Sequence, residues 1–172
     1  MTKGEEFMRL ALEKAKEGIE KGESPFGACI VRLGDLRGAE RRGNPLVANK
    51  VIACEHNIVI SSMDSTAHAE MQAIRSACRA LKTIDLSGCT IYSTCEPCPM
   101  CFSAIHWARI SKVVFGARIE DSARYGFNEL AISNERLKQE GGLKIEIEGN
   151  LMRNESIRLF EYWSKRDDKK MY

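Results

Sequence analysis

His68-Ala69-Glu70 and, further along the chain, Pro97-Cys98-Pro99-Met100-Cys101 together supply one imidazole, two thiols and an acid. Two thiolates and a neutral imidazole form a donor set that suits zinc. Three ligands are one too few for a closed structural site, in which four side chains surround the ion. A catalytic zinc keeps three and leaves the fourth position to water, whose pKa then falls toward about 7. Glu70 is the acid left over, placed to take that water's proton and hand it on. Local spacing alone does not select the ligands, because Cys95-Glu96-Pro97-Cys98 is a second, overlapping pair. With Cys95 as fourth ligand the site would be closed, Glu70 would be an ordinary helix residue, and the chain would be a zinc-organised binding module without catalysis. The conjunction of His-x-Glu with a later Pro-Cys-x-x-Cys, three ligands and one free acid, favours the open arrangement and points to hydrolysis.

The elements that must position these residues follow from periodicity. Thr2 and Glu5 have capping-box spacing, and Phe7, Leu10, Ala11, Ala15 and Ile19 recur on one face of a first helix that Gly22 ends. Ser24-Pro25-Phe26-Gly27 is a turn into a buried strand, Ala28 to Val31, and a second strand is expected near Val51 to Cys54. Between them, Gly34 to Lys50 lacks periodicity and reads as an insertion or long loop. A helix from Thr66 to Leu81 carries His68 and Glu70 in its opening turn. Cys89 to Ser93 reads as a strand, and Pro97 as an early residue of a helix bearing Cys98 and Cys101. Lys112 to Gly116 is a strand, Leu130 to Leu137 a helix, and Leu143 to Glu148 an alternating strand. Asn154 caps a closing helix to Lys165 in which Ile157, Phe160 and Trp163 share one side. Strands alternating with helices predict an α/β fold, a central sheet covered on both faces, in one domain over 1–172.

Composition excludes several alternatives. With 44% hydrophobic and 29% charged residues the chain reads as globular, and no apolar run approaches the roughly 18 residues of a membrane span. Glu5, Glu6 and Arg9 interrupt the N-terminus where a secretory segment would be apolar, so the cytoplasm is the expected location. Seven cysteines, an odd number, are then expected to be thiols, with Cys29, Cys54, Cys78, Cys89 and Cys95 assigned to burial. A net charge of +2, spread among interspersed signs, gives no basic face for nucleic acid.

These stretches, with Pro25-Phe26-Gly27-Ala28, the asparagine of Glu55-His56-Asn57, Asp64 to Ala80 and Cys95 to Arg109, resemble the cytidine deaminase superfamily and, within it, most nearly the bacterial guanine deaminases. The resemblance implies a three-layer α/β/α sandwich with a mixed central sheet. It also implies one Zn2+ per chain on His68, Cys98 and Cys101, with a bound water and Glu70 as proton shuttle. It points to Asn57 on the base edge, Phe26 packed on the ring and Trp107 against the base. Gly126-Phe127-Asn128-Glu129 is similar to a loop whose last acid touches the purine, which makes Glu129 a second catalytic acid. Tyr172 is similar to a terminal tyrosine that closes the site, through exchange of C-terminal segments in a homodimer. Without the resemblance, Asn57 reads equally as turn chemistry, Phe26 as core, Glu129 as a helix-start acid and Tyr172 as a frayed end. His56 and His106 have no assigned role. Guanine to xanthine is the expected reaction. Cytosine, cytidine, guanosine and tRNA adenosine deaminases share most of these motifs and remain alternatives. For tRNA, the local pairing of Lys165, Arg166, Lys169 and Lys170 with Asp167 and Asp168 argues mildly against. The stretch 34–50 is longer than the usual hairpin, and Leu143 onward is similar only in general terms until the last residues.

Overall fold

The computed structural model describes residues 1–32, 34 and 49–172. Helix α1 (Lys3–Glu20) opens on a reciprocal cap: Thr2 Oγ1 accepts from Glu5 N–H at 3.2 Å, and the Glu5 carboxylate accepts from Thr2 N–H at 2.7 Å. Its buried face is Phe7, Met8, Ala11, Ala15, Gly18 and Ile19, and Gly22, at φ +85°, turns the chain away. Strand β1 (Gly27–Arg32) starts so close beneath α1 that a Cβ on Gly27 would meet the Ala11 carbonyl and the Ala15 amide nitrogen. Glycine is required there for close approach.

Around β1 the sheet builds to five strands in the order β2-β1-β3-β4-β5. Strands β2 (Lys50–His56) and β3 (Cys89–Cys95) pair antiparallel with β1, while β4 (Lys112–Ala117) and β5 (Glu146–Glu148) continue parallel to β3. The sheet is therefore mixed, and β3 is buried along its whole length, as a central strand covered on both faces must be. Helices α1 and α7 (Arg153–Ser164) cover one face; α3 (Ala69–Leu81) and α4 (Pro99–Trp107) cover the other. The two apolar layers match this division. Ile30, Ile91, Phe115 and Phe102 pack under α3 and α4, and Phe7, Met8, Val31 and Val114 under α1. This is the expected three-layer arrangement.

Several boundaries differ from expectation for identifiable reasons. Helices α3 and α4 start at Ala69 and Pro99 rather than near Thr66 and Pro97, because His68 and Cys98 are extended N-cap residues (ψ 156° and 165°). The helix expected from Leu130 begins only at Asn134, as α6 (Asn134–Glu140), where Ser133 Oγ accepts from Arg136 N–H. Asn154 is not a cap: α7 begins one residue earlier, after Met152 in the left-handed region (φ 53°). Strand β5 is three residues long, and the short helices α2 (Val59–Ser62) and α5 (Ile119–Ala123) have no periodic signal to betray them. The expected 34–50 insertion lies outside the described residues except for its two ends, where Gly34 N–H donates to Asn49 Oδ1 at 3.2 Å. The expectation that every cysteine is a thiol is corrected. Cys29 and Cys54 face each other directly across β1 and β2 and form a disulfide, Cα atoms 4.1 Å apart. Antiparallel register, invisible in the spacing, brings them together.

Candidate active site

Two helix starts converge at the C-terminal end of β3. His68 caps α3 and Cys98 caps α4, with Cys101 in the first turn of α4. His68 Nδ1 lies 3.6 Å from each of the Cys98 and Cys101 sulfurs, and the three ligand atoms fall within 4.8 Å of one another. Among the described residues this is the one such cluster of metal-binding groups. The electrostatics suit a cation. Hydrogen bonding to Cys101 leads the effects that bring Cys98 down to about 4, against burial and with help from His68, so Cys98 is a thiolate. The proton kept by the pair sits on Cys101, whose pKa is pushed well up by its bond to Cys98 and by burial. Burial opposes a charged His68, yet the Cys98 bond and the Glu70 charge together raise its pKa. Each thiol also gains from the positive end of α4. A nitrogen and two soft sulfurs at these separations fit zinc.

Glu70, in the first turn of α3, is nearly inaccessible. Ser93 Oγ on β3 donates to its Oε1 at 2.9 Å, and the Cys101 thiol donates to its Oε2 at 3.5 Å. Burial, reinforced by the Cys98 charge, raises its pKa although His68 pulls the other way. A carboxyl held in this way can both accept and release a proton. Glu129 lies in the irregular segment between α5 and α6, where it accepts from Ser122 Oγ at 3.0 Å; burial again raises its pKa.

His68, Cys98, Glu70 and Glu129 line a cavity of about 240 Å³ with Phe26, Ser65, Cys95, Glu96, Phe127, Asn128 and Tyr172. Phe26 and Phe127 meet edge to face, ring centres 4.9 Å apart, and form an apolar wall. Tyr172 seats at the mouth, 6.2 Å from the Phe127 ring and 6.0 Å from that of His68. Asn57 is fully buried one step behind it. Its Nδ2 donates to the Tyr172 hydroxyl oxygen at 2.6 Å and its Oδ1 accepts from Val59 N–H at 2.8 Å. Glu96 points inward, and Cys95 Sγ is turned to the Arg118 carbonyl at 3.6 Å, outside the metal cluster.

Of the expected site residues, His68, Cys98, Cys101, Glu70, Glu129, Phe26 and Tyr172 come together, and Asn57 reaches them through Tyr172. Trp107 does not. It is the last residue of α4, whose nine residues rise about 13 Å from Cys98, and it is 81% exposed beside His106. The Trp107 ring is not among the residues that line the cavity of this chain. The sequence reading missed Ser65, Asn128 and Glu96 as lining groups and Ser93 and Ser122 as partners of the two acids. Ser93 could have been found from its place two residues before the cysteine turn, whereas nothing local marks Ser122.

A sheet of this order with two helix-borne thiols, an imidazole and a buried acid at one strand end defines a zinc-dependent deaminase. Residues 1–117 match the cytidine and deoxycytidylate deaminase zinc-binding region, and the chain belongs to that family, with zinc as its cofactor. It is 41% identical over 132 residues to a guanine deaminase of Bacillus subtilis, covering 76% of this chain and 75% of that one. It is 45% identical over 113 residues to a tRNA-specific adenosine deaminase of Aquifex aeolicus, covering 66% and 65%. Among solved structures it is similar to a guanine deaminase from Nitrosomonas europaea, with 26% identity, a TM-score of 0.80 and coverage of 96% and 87%. The family match ends with β4, so it includes the metal cluster and Glu70 but neither Glu129 nor Tyr172.

Proposed function

We propose that this protein hydrolyses guanine to xanthine and ammonia. The observation that carries the reading is the C-terminal Tyr172, seated over the cavity and bonded to Asn57. An aromatic ring at that place in the lining leaves room for a free base and would crowd a base still joined to a folded RNA. A volume of about 240 Å³ agrees, lying below the roughly 300–1,000 Å³ of ordinary small-molecule sites. The position of Glu129, and the similarity to two guanine deaminases, add support.

Zinc held by His68, Cys98 and Cys101 would supply Lewis-acid activation of a water. Glu70 accepts the proton that water loses and passes it to the ring nitrogen beside the amino-bearing carbon. Its bond from Ser93 keeps the carboxyl aimed while the proton is in transit. Water oxygen bonds to that carbon as a hydroxyl; as the carbon–nitrogen bond breaks, Glu129 supplies a proton to the leaving amine and recovers one from that hydroxyl, which becomes the new carbonyl, so that one water and guanine give xanthine and ammonia. Phe26 and Phe127 hold the purine between apolar surfaces, and Asn57 and Tyr172 exclude bulk water. The reading carries a homodimer, as the resemblance implies, and the cytoplasmic location expected from the residue composition. The identity to tRNA-specific adenosine deaminases favours a second reading, deamination of adenosine in tRNA. Ammonia release by the zinc-loaded protein from guanine, guanosine, cytosine, cytidine, adenine and tRNA separates the two. Guanine should be the best substrate, and no ammonia from guanine would reject the proposal.

A further inference from the structure

Glu96 takes no part in the chemistry above, yet its side chain is buried to within 4% exposure. It stands in the turn between β3 and α4, just before Pro97 and Cys98. Its two carboxylate oxygens are divided: Oε1 accepts from Asn134 N–H at 2.8 Å and Oε2 from Ile119 N–H at 3.5 Å. Those amides belong to the first residues of α6 and α5, where a helix has N–H groups without internal partners. They also bracket the segment 119–134, which contains both Ser122 and Glu129. Asn134 Nδ2 adds a bond to the Pro97 carbonyl at 2.6 Å, and Glu96 N–H bonds the Ala117 carbonyl at 2.8 Å. The segment is thus closed at both ends onto the turn that delivers Cys98. A buried carboxylate is costly to desolvate, and an apolar side chain could fill the same volume. What only the carboxylate offers is two acceptors on opposite sides of one group.

We propose that Glu96 is a positioning residue that fixes the 119–134 segment, and with it Glu129, to the metal-binding turn. The inference rests on the role given to Glu129 in the proposed function. Glu96→Gln keeps the shape but turns an NH2 toward one of the two amides, replacing a bond with a donor facing a donor. The full-length, zinc-loaded protein is assayed for kcat and KM with guanine, or with whichever base of the substrate panel releases ammonia, alongside zinc content and thermal unfolding. Glu96→Gln should lower kcat about 10- to 100-fold, the scale of a misplaced catalytic group, with zinc content unchanged. Because it acts through Glu129, the double variant with Glu129→Gln should be no slower than Glu129→Gln alone. If Glu96→Gln fails to fold, Asn134→Ala, which removes the bond to Pro97, is put through the same cycle. A wild-type kcat in Glu96→Gln, losses that multiply in the double variant, or zinc lost together with activity would each overturn the inference. An impaired Glu129→Gln beside an unimpaired Glu96→Gln refutes this inference alone. An unimpaired Glu129→Gln beside an impaired Glu96→Gln refutes the role of Glu129 and the route through it.

Discussion

Tyr172→Phe removes one oxygen and leaves the ring. That oxygen accepts from Asn57 Nδ2 at 2.6 Å, and among the described residues that donor has no second acceptor, while Oδ1 accepts separately from Val59 N–H. A neutral hydrogen bond contributes about 0.5–1.5 kcal/mol net, and a stranded buried donor costs about 1–3 kcal/mol. Tyr172 is 38% exposed, so water can enter the gap and the lower end applies. A loss of about 1 kcal/mol shifts the balance between seated and free tail roughly fivefold. Lys169 and Lys170 precede Tyr172 by a few residues, which makes trypsin a direct reporter; cleavage follows the open population when reclosing is fast. With the tail mostly seated, cleavage at these lysines, followed by mass, should accelerate about fivefold in the variant, while KM for guanine, which follows the seated fraction, should rise by much less. Thermal unfolding should not move, because the hydroxyl lies outside the packed layers. Tyr162→Phe, an exposed ring on α7, is the control and should change nothing. Wild-type cleavage in Tyr172→Phe would show that this bond does not seat the tail, and the argument for a free base from closure would fall.

Two further outcomes test other parts of the structure. Glu70→Gln preserves the Ser93 contact but cannot shuttle a proton; kcat should fall by about 10⁴ or more with zinc retained, and a loss under about tenfold would remove Glu70 from the chemistry. Asp121, buried in α5, is pushed up by burial, but its bidentate bonds from Arg153 at 2.9 Å and the Arg118 N–H outweigh this and hold it below the usual carboxylate range. A depressed folded-state pKa contributes stability that is present above the ordinary aspartate pKa and lost as pH falls through the lowered value. Asp121→Asn should therefore lower the unfolding free energy by about 1.5–3 kcal/mol at pH 7 and flatten its decline in acid. An unchanged denaturant midpoint at both pH values would contradict the linkage.

The parts of the site that were legible in the sequence are those set by short spacing. His68 and Glu70 are two residues apart, as ligand and acid on one helix start must be, and Cys98 and Cys101 share the first turn of α4. Periodicity likewise announced α1, α3 and the buried strands, because each presents a continuous apolar face to the sheet. Where the reading slipped, a tertiary contact outranked the local signal. The short helices α2 and α5 start without a periodic stripe, and residues 130–133, helical by pattern, are held irregular where Asn134 is drawn to Glu96 and Pro97. Cys29 and Cys54 meet only through strand register.

The same distinction separates the shared chemistry from base selection. The metal ligands and Glu70 sit at the ends of β3, α3 and α4, within the region matched to the family, and their geometry needs only the sheet and two helix starts. Glu129 depends on Ser122 and on a loop closed by Glu96, and Tyr172 depends on Asn57 across nearly the whole length of the chain. Such long-range bonds can be rebuilt around an unchanged zinc centre, which fits the finding that a guanine deaminase and a tRNA-specific adenosine deaminase each match about two thirds or more of this chain at over 40% identity. The metal centre therefore marks the chain as a member of a deaminase family, and on the proposed reading the choice of base rests on how firmly the tail and the 119–134 segment close over it.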